Sequence, residues 1–441
     1  MNTPICDFIA RNRKKEHRFY MPGHKGKGMV ERDDITEIDG ADVLYRPDGI
    51  IAESEKNAAL IFGSAKTVYS CEGSSLGIRA VTYLLKTYAT SVGKDPVIFA
   101  ARNVHSSFLS ACGLNDLSPE WLYGEGGNAI SVHVTPEEID LALSAKKAVA
   151  VYVTSPDYLG YRCDVEGIAK VCKKHGALLV ADNAHGAYLR FTDPILHPLA
   201  LGADICIESA HKTLPCLTGT AYVHVAPSAP SFFCDNLNFA MYLFASTSPS
   251  YLLLSSLDRF NGTAESFTEE VRRTANRIEE TKARLRGKGF ILYGNEPLKM
   301  TIDCLKYGYK GTEVAAYLRK RKIETEYADR AFIVFLFSPC NGEDSISLLE
   351  KNLLSLTRKK AIDEIPPAPV RCERVTTVRE ALFAPWEEIP VGEAEGRVLS
   401  GLVLSCPPAV PVAVCGERLS RGATAALTYY GYRTVKVLVG K

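Results

Sequence analysis

Two kinds of hydrophobic pattern alternate along this chain. Residues 67–71, 96–101, 148–154, 178–183 and 205–207 are short apolar or β-branched runs of strand length, and 220–225 resumes the same character. Between them, residues 53–62, 76–88 and 164–174 have helical spacing, the last opened by Asp164 and stopped by Gly176. Strand, helix, strand in that order is a β-α-β unit, so an α/β fold with a parallel sheet is predicted. Residues 265–286 read as one long charged helix leading into a smaller α+β part. There, residues 323–337 alternate polar and apolar and then become a buried strand. Ile365-Pro-Pro-Ala-Pro369 reads as a linker. The expected division is an N-terminal arm (1–50), a large domain (51–255), a small α+β domain (256–364) and a C-terminal domain (370–441).

Two glycine-rich stretches carry no independent chemistry. Met21-Pro-Gly-His-Lys-Gly-Lys-Gly28 is not a phosphate loop, because Met29-Val30 follow its last glycine where Lys-Ser/Thr is required. Gly124-Glu-Gly-Gly-Asn128 reads as a turn-rich surface loop.

At 441 residues the chain exceeds one ordinary core, which agrees with several domains. Its 52 basic residues balance 51 acidic ones, so no nucleic-acid partner is expected. Thirteen cysteines are scattered without Cys-x-x-Cys or Cys/His zinc spacing, which fits reduced thiols. No apolar run reaches the ~20 residues needed to span a bilayer, and the charged N-terminus lacks a signal-peptide core. A cytoplasmic protein without membrane or metal is the expectation.

Chemistry concentrates on Ser209-Ala-His-Lys-Thr213, which joins two apolar runs. A lysine there has little reason to be a solvated charge, and it becomes a nucleophile suited to a Schiff base when its surroundings depress its pKa. By itself the segment equally suits an ordinary surface loop. About thirty residues upstream, within one β-α-β step, the strand over 178–183 delivers Asp182 and His185 at its carboxyl end. Ligands bind there in open α/β sheets. An N-capping aspartate and a core histidine are the plainer readings of each residue singly. Aspartate and lysine together are what pyridoxal phosphate requires: a carboxylate for the pyridine nitrogen and an amine for the aldehyde. Glu72-Gly-Ser74-Ser75 between strand and helix is then an anion cradle for the phosphate rather than a serine cap.

Asp182-x-Ala-His-Gly186, Ser-Ala-His-Lys-Thr213 and Ser246-Thr-Ser-Pro-Ser250 together resemble the ornithine/lysine/arginine decarboxylases, which have the aspartate-aminotransferase fold (fold type I). The resemblance runs from Arg18-Phe-Tyr-Met-Pro-Gly-His-Lys-Gly26 to near the C-terminus. It implies that Lys212 and Asp182 hold pyridoxal phosphate, with His105 on the ring face and His185 near the ring edge. Ser74, Ser75 and Ser209 belong to the cofactor site. Thr247 and Ser248 reach the phosphate of a neighbouring subunit's cofactor, which makes the protein a homodimer or higher even oligomer with shared sites. Glu326 is matched to the carboxylate facing the distal cation of a basic amino acid, and Glu324 is its neighbour on the same predicted strand face.

The reaction so implied is decarboxylation of lysine, ornithine or arginine to a polyamine-type amine, with Lys212 or His211 as the acid that protonates Cα. One rival is an aminotransferase or lyase on the same fold, which calls for an α-carboxylate clamp from Arg319, Arg321 or Arg330. Another is a catalytically weak, cofactor-binding paralogue. Its motive is two departures from the family pattern, Asn183 for an acidic residue and Ser106 for a lysine; Cys406 for an aromatic and Ala409 for a glycine are further departures that bear on local turn geometry and not on the chemistry.

Overall fold

The computed structural model describes residues 1–14, 17–402 and 409–440. The chain forms two compact units. The first comprises 1–96, 148–152 and 165–269, and the second 97–147, 153–164 and 270–441.

In the first unit the strands lie in the order Lys66–Ser70, Ala221–Val225, Ile205–Glu208, Leu178–Asp182 and then Ala150–Thr154, whose residues 150–152 belong here. Leu178–Asp182 and Ile205–Glu208 pair in parallel, Asp182 opposite Ile207. Ala221–Val225 is antiparallel to both of its neighbours. Lys66–Ser70, Ile205–Glu208 and Leu178–Asp182 therefore run in one direction, and Ala221–Val225 is the reversed strand. The reversal follows from its connection: only a short helix, Ala210–Thr213, and a tight loop precede it, too little chain for a parallel crossover.

Helix Gly73–Ser91 lies close on this sheet. A Cβ on Gly77 would meet Val223 Cγ2 at 2.5 Å and Ile207 Cγ2 at 3.1 Å, so glycine permits the approach. Contrary to the serine-cap alternative, the N-cap is Glu72, with no side-chain cap, and Gly73 enters the helix with φ +69°. The long helix is Tyr251–Lys288, beginning well before residue 265 because Tyr251, Leu254 and Leu257 extend its buried face. In the N-terminal arm, His24 Nε2 lies 3.2 Å from Asp34 and Lys25 donates to Tyr20 O.

The second unit contains an antiparallel sheet ordered Ile291–Tyr293, Lys299–Asp303, Phe332–Leu336, Tyr327–Ala328. Its core includes Leu305, Phe332 and Val334. Ile98–Ala101 pairs in parallel with Glu120–Leu122. Part of the predicted glycine-rich loop is in fact a strand, Gly127–Asn128, paired with Ser131–Val132. Residues 370–402 and 409–440 build a further core around Leu399, Leu419, Leu427 and Val437. The expectation for Cys406 lies outside the described residues. Ala409 is described, and it adopts φ +54°, the left-handed conformation that a glycine meets without strain.

Candidate active site

Lys212 leaves the end of Ile205–Glu208 on the one-turn helix Ala210–Thr213. Its Nζ lies 3.2 Å from His185 Nε2, a side chain that emerges just past Asp182. Asp182 is 1 % exposed, its Oδ2 accepting from Tyr152 OH at 3.0 Å and its Oδ1 from Ala184 N at 3.2 Å. Burial pushes its carboxyl up, while the Lys212 charge, the Tyr152 hydroxyl and the Ala184 amide pull it down. His211 Nδ1 faces Thr220 O at 2.8 Å, and burial lowers its pKa. An imidazole with a lowered pKa and a fixed ring is suited to passing a proton.

Ser209 Oγ donates to Ser74 Oγ at 3.0 Å, so the lysine segment is joined to the first turn of Gly73–Ser91. Ser75 follows Ser74 in that turn. Thr247 and Ser248 are exposed. Ser248 N donates to Ser246 Oγ, and Ser246 N donates to Glu72 Oε1 at 2.7 Å, beside the same helix start. Five of the predicted residues thus share direct contacts or a strand end in this unit: Lys212 with His185, Asp182 on the neighbouring strand, and Ser74 with Ser209.

His105 and Glu326 belong to the second unit. His105 is the N-cap of Ser106–Asn115, its Nδ1 accepting from Ser107 N at 3.1 Å. The next residue, Ser106, donates its N–H to Ala409 O at 2.9 Å. Glu326 Oε1 accepts from Tyr158 OH at 3.0 Å and borders a cavity of about 300 Å³ walled by Phe335, Phe337 and Leu349. The idea of Glu324 and Glu326 on one strand face needs correction. Neither lies in a strand, since pairing begins at Tyr327; both nonetheless border the same cavity, and Glu324 is also bonded to Arg319. Ladder partners set where a strand starts, and alternation alone does not reveal them.

Residues 4–290 match the family model "Orn/Lys/Arg decarboxylase, major domain". The chain belongs to the Orn/Lys/Arg decarboxylase family. It is 28% identical to the uncharacterized protein YaaO of Bacillus subtilis (strain 168), over 97% of this chain and 94% of that one. It is 26% identical to an arginine decarboxylase of the same organism, over 94% and 91%. Among solved structures, a lysine decarboxylase from Francisella novicida superposes with a TM-score of 0.78 at 17% identity, covering 99% of this chain and 81% of that one. Lysine decarboxylase A from Pseudomonas aeruginosa gives 0.80 at 18% identity, covering 98% and 76%. At such identities these two speak for the fold alone. The fold is that of the pyridoxal-phosphate enzymes of fold type I, and this family member is a pyridoxal-phosphate-dependent amino-acid decarboxylase.

The donor set suits that cofactor. A buried carboxylate, a lysine amine on the adjacent strand's connection, and a serine-bearing helix start are the three chemistries that its ring nitrogen, aldehyde and phosphate require. The arginines that an α-carboxylate clamp would use are engaged elsewhere in this family member. Arg319 bonds Glu324, Arg330 bonds Glu364, and Arg321 donates to Tyr317 O while stacking on that ring. Asn183 is likewise in use, donating to Glu208 Oε2 at 2.7 Å.

Sequence reasoning missed Tyr152, Tyr158 and the partners of Glu208. Tyr152 carried a usable signal: a hydroxyl in a buried apolar strand needs a polar partner.

Proposed function

We propose that this chain converts lysine, ornithine or arginine to the corresponding amine and CO2, feeding polyamine-type products, in the cytoplasm and as a homodimer or higher even oligomer with shared sites. The observation that carries the reading is Lys212 Nζ at 3.2 Å from His185, with buried Asp182 on the next strand. Free thiols at every cysteine among the described residues agree with a reducing compartment. No helix among those residues is long and apolar enough to cross a membrane.

Lys212 is the amine for the cofactor aldehyde, and Asp182 keeps a proton on the ring nitrogen. Ser74, Ser75 and Ser209 take the phosphate, with Thr247 and Ser248 of a neighbouring copy. By the family resemblance, His105 would cover the ring face and His185 its edge. Bound pyridoxal phosphate supplies the electron sink for the pair left at Cα when CO2 departs. Lys212 Nζ or the His211 imidazole would then deliver the proton to Cα, and the contact between Lys212 Nζ and His185 Nε2 orients the amine. Glu326 pairs with the distal cation. Tyr158 holds one of its carboxylate oxygens in place.

A panel of arginine, lysine and ornithine, with CO2 and amine products identified, tests the reading. Arginine heads the panel, because the arginine decarboxylase of Bacillus subtilis matches over more than nine-tenths of its length. Keto-acid formation in place of CO2 would overturn it in favour of transamination.

A further inference from the structure

Directly behind the site lies a fully buried polar cluster to which none of the chemistry above assigns a role. Glu208, His197 and His224 are each 0 % exposed. Glu208 Oε2 lies 2.8 Å from His197 Nε2 and accepts from Asn183 Nδ2 at 2.7 Å, while Oε1 lies 3.2 Å from His224 Nε2. A carboxylate only accepts, so both ring nitrogens facing it carry hydrogens. His197 Nδ1 accepts from Leu199 N at 3.4 Å, and His224 Nδ1 lies 2.7 Å from Thr67 Oγ1, which agrees with those tautomers. Burial by itself would raise the Glu208 carboxyl, but the two histidines hold it below the ordinary carboxylate range. Cys206 Sγ stands 3.9 Å from both His197 and Glu208. The donors facing Glu208 already satisfy its two oxygens, so the cluster needs no metal.

Burying a carboxylate is costly, and an apolar filling of the same volume is often at least as stable. The location of this one is therefore informative. The parallel ladder between the two site strands ends with Asn183 N donating to Ile207 O at 2.8 Å. Beyond it the chains diverge, one toward His185 and the other into Ala210–Thr213. The Asn183–Glu208 bond is a side-chain link across that end. It joins the residue after Asp182 to the residue before Ser209.

We propose that Glu208 is a positioning residue: through Asn183 and its own backbone it sets Asp182 and Ser209 at the spacing the cofactor requires between ring nitrogen and phosphate. The proposal rests on the reading of Asp182 and Ser209 given above. It also accounts for Asn183, because an acidic side chain there would face Glu208 without a donor of its own. Asn183 Oδ1 has no hydrogen-bond partner among the described residues.

The test is titration of the cofactor-free protein with pyridoxal phosphate, read by visible absorbance, alongside thermal unfolding of the same cofactor-free samples. Glu208→Gln and Asn183→Asp should each raise the dissociation constant about tenfold or more, the loss expected for one charge-assisted hydrogen bond. Asn183→Ala removes the donor to Glu208 without adding a charge and should weaken binding as well. Variants that lose thermal stability yet bind as tightly as the parent would overturn positioning. Should Glu208→Gln fail to fold, Asn183→Ala decides, and binding as tight as the parent's overturns the proposal. A parent protein that binds no pyridoxal phosphate would instead overturn the cofactor reading, and this inference with it.

Discussion

Lys212 Nζ lies 3.2 Å from His185 Nε2, across the connections leaving two paired parallel strands. That contact gives the amine a defined neighbour before any ligand arrives. Lys212→Ala should leave the fold intact and abolish the visible absorbance that stays with the protein through gel filtration, because lysine is the covalent tether. Retained absorbance in Lys212→Ala would assign the tether elsewhere.

Asp182→Asn should keep the cofactor and lose turnover, on the order of 10²-fold or more, as for removal of a preorganised electrostatic partner. The amide oxygen can still accept from Ala184 N while the amide nitrogen donates to the Tyr152 hydroxyl oxygen, so the fold has no cause to change. Steady-state kcat on the cofactor-saturated variant is the measurement, and a near-parental value would show that another group holds the ring proton.

Mixed oligomers test the shared site. Lys212→Ala combined with Thr247→Ala/Ser248→Ala should regain activity, because one hybrid site then has both an intact lysine and an intact phosphate segment. Each variant should be inactive or weak alone. Hybrids verified by mass that never complement would remove Thr247 and Ser248 from the neighbouring site.

Glu326→Gln should raise KM for the basic substrate and lower kcat less, the pattern of lost uniform binding. Tyr158→Phe, which removes the hydroxyl held at 3.0 Å from Glu326, should move KM in the same direction by a smaller factor. Unchanged kinetics with all three amino acids would exclude Glu326 from the pocket.

Glu55 offers a pH test independent of catalysis. Burial raises its carboxyl from 4.5 to about 8, against the Tyr69 amide and the Lys66 charge. A folded-state pKa above the unfolded one means that the stability held by the neutral acid is complete below about 4.5 and is lost as pH rises through about 8. Glu55→Gln keeps the acceptor for Tyr69 N and cannot ionise. Its Tm relative to the parent should therefore rise between pH 6 and 9, and a pH-independent difference would show that Glu55 is already charged.

The sequence by itself determined the parts whose cause is local. Apolar runs near 178–183 and 205–207 separated by polar connections put Asp182, His185 and Lys212 at strand ends, because side-chain period and chain reversal act over a few residues. Distant pairing was decided only by the tertiary structure. Tyr152 meets Asp182 across 30 positions, Ser209 meets Ser74 across 135, and Asn183 meets Glu208 across 25. The edge of the small sheet also left Glu324 on Arg319, outside any strand. Strand neighbours, and the hydrogen bonds that must satisfy each buried polar group, depend on which surfaces come together when the chain closes. No local pattern encodes that choice, which is why the lysine could be read from the chain and the buried carboxylate behind it could not.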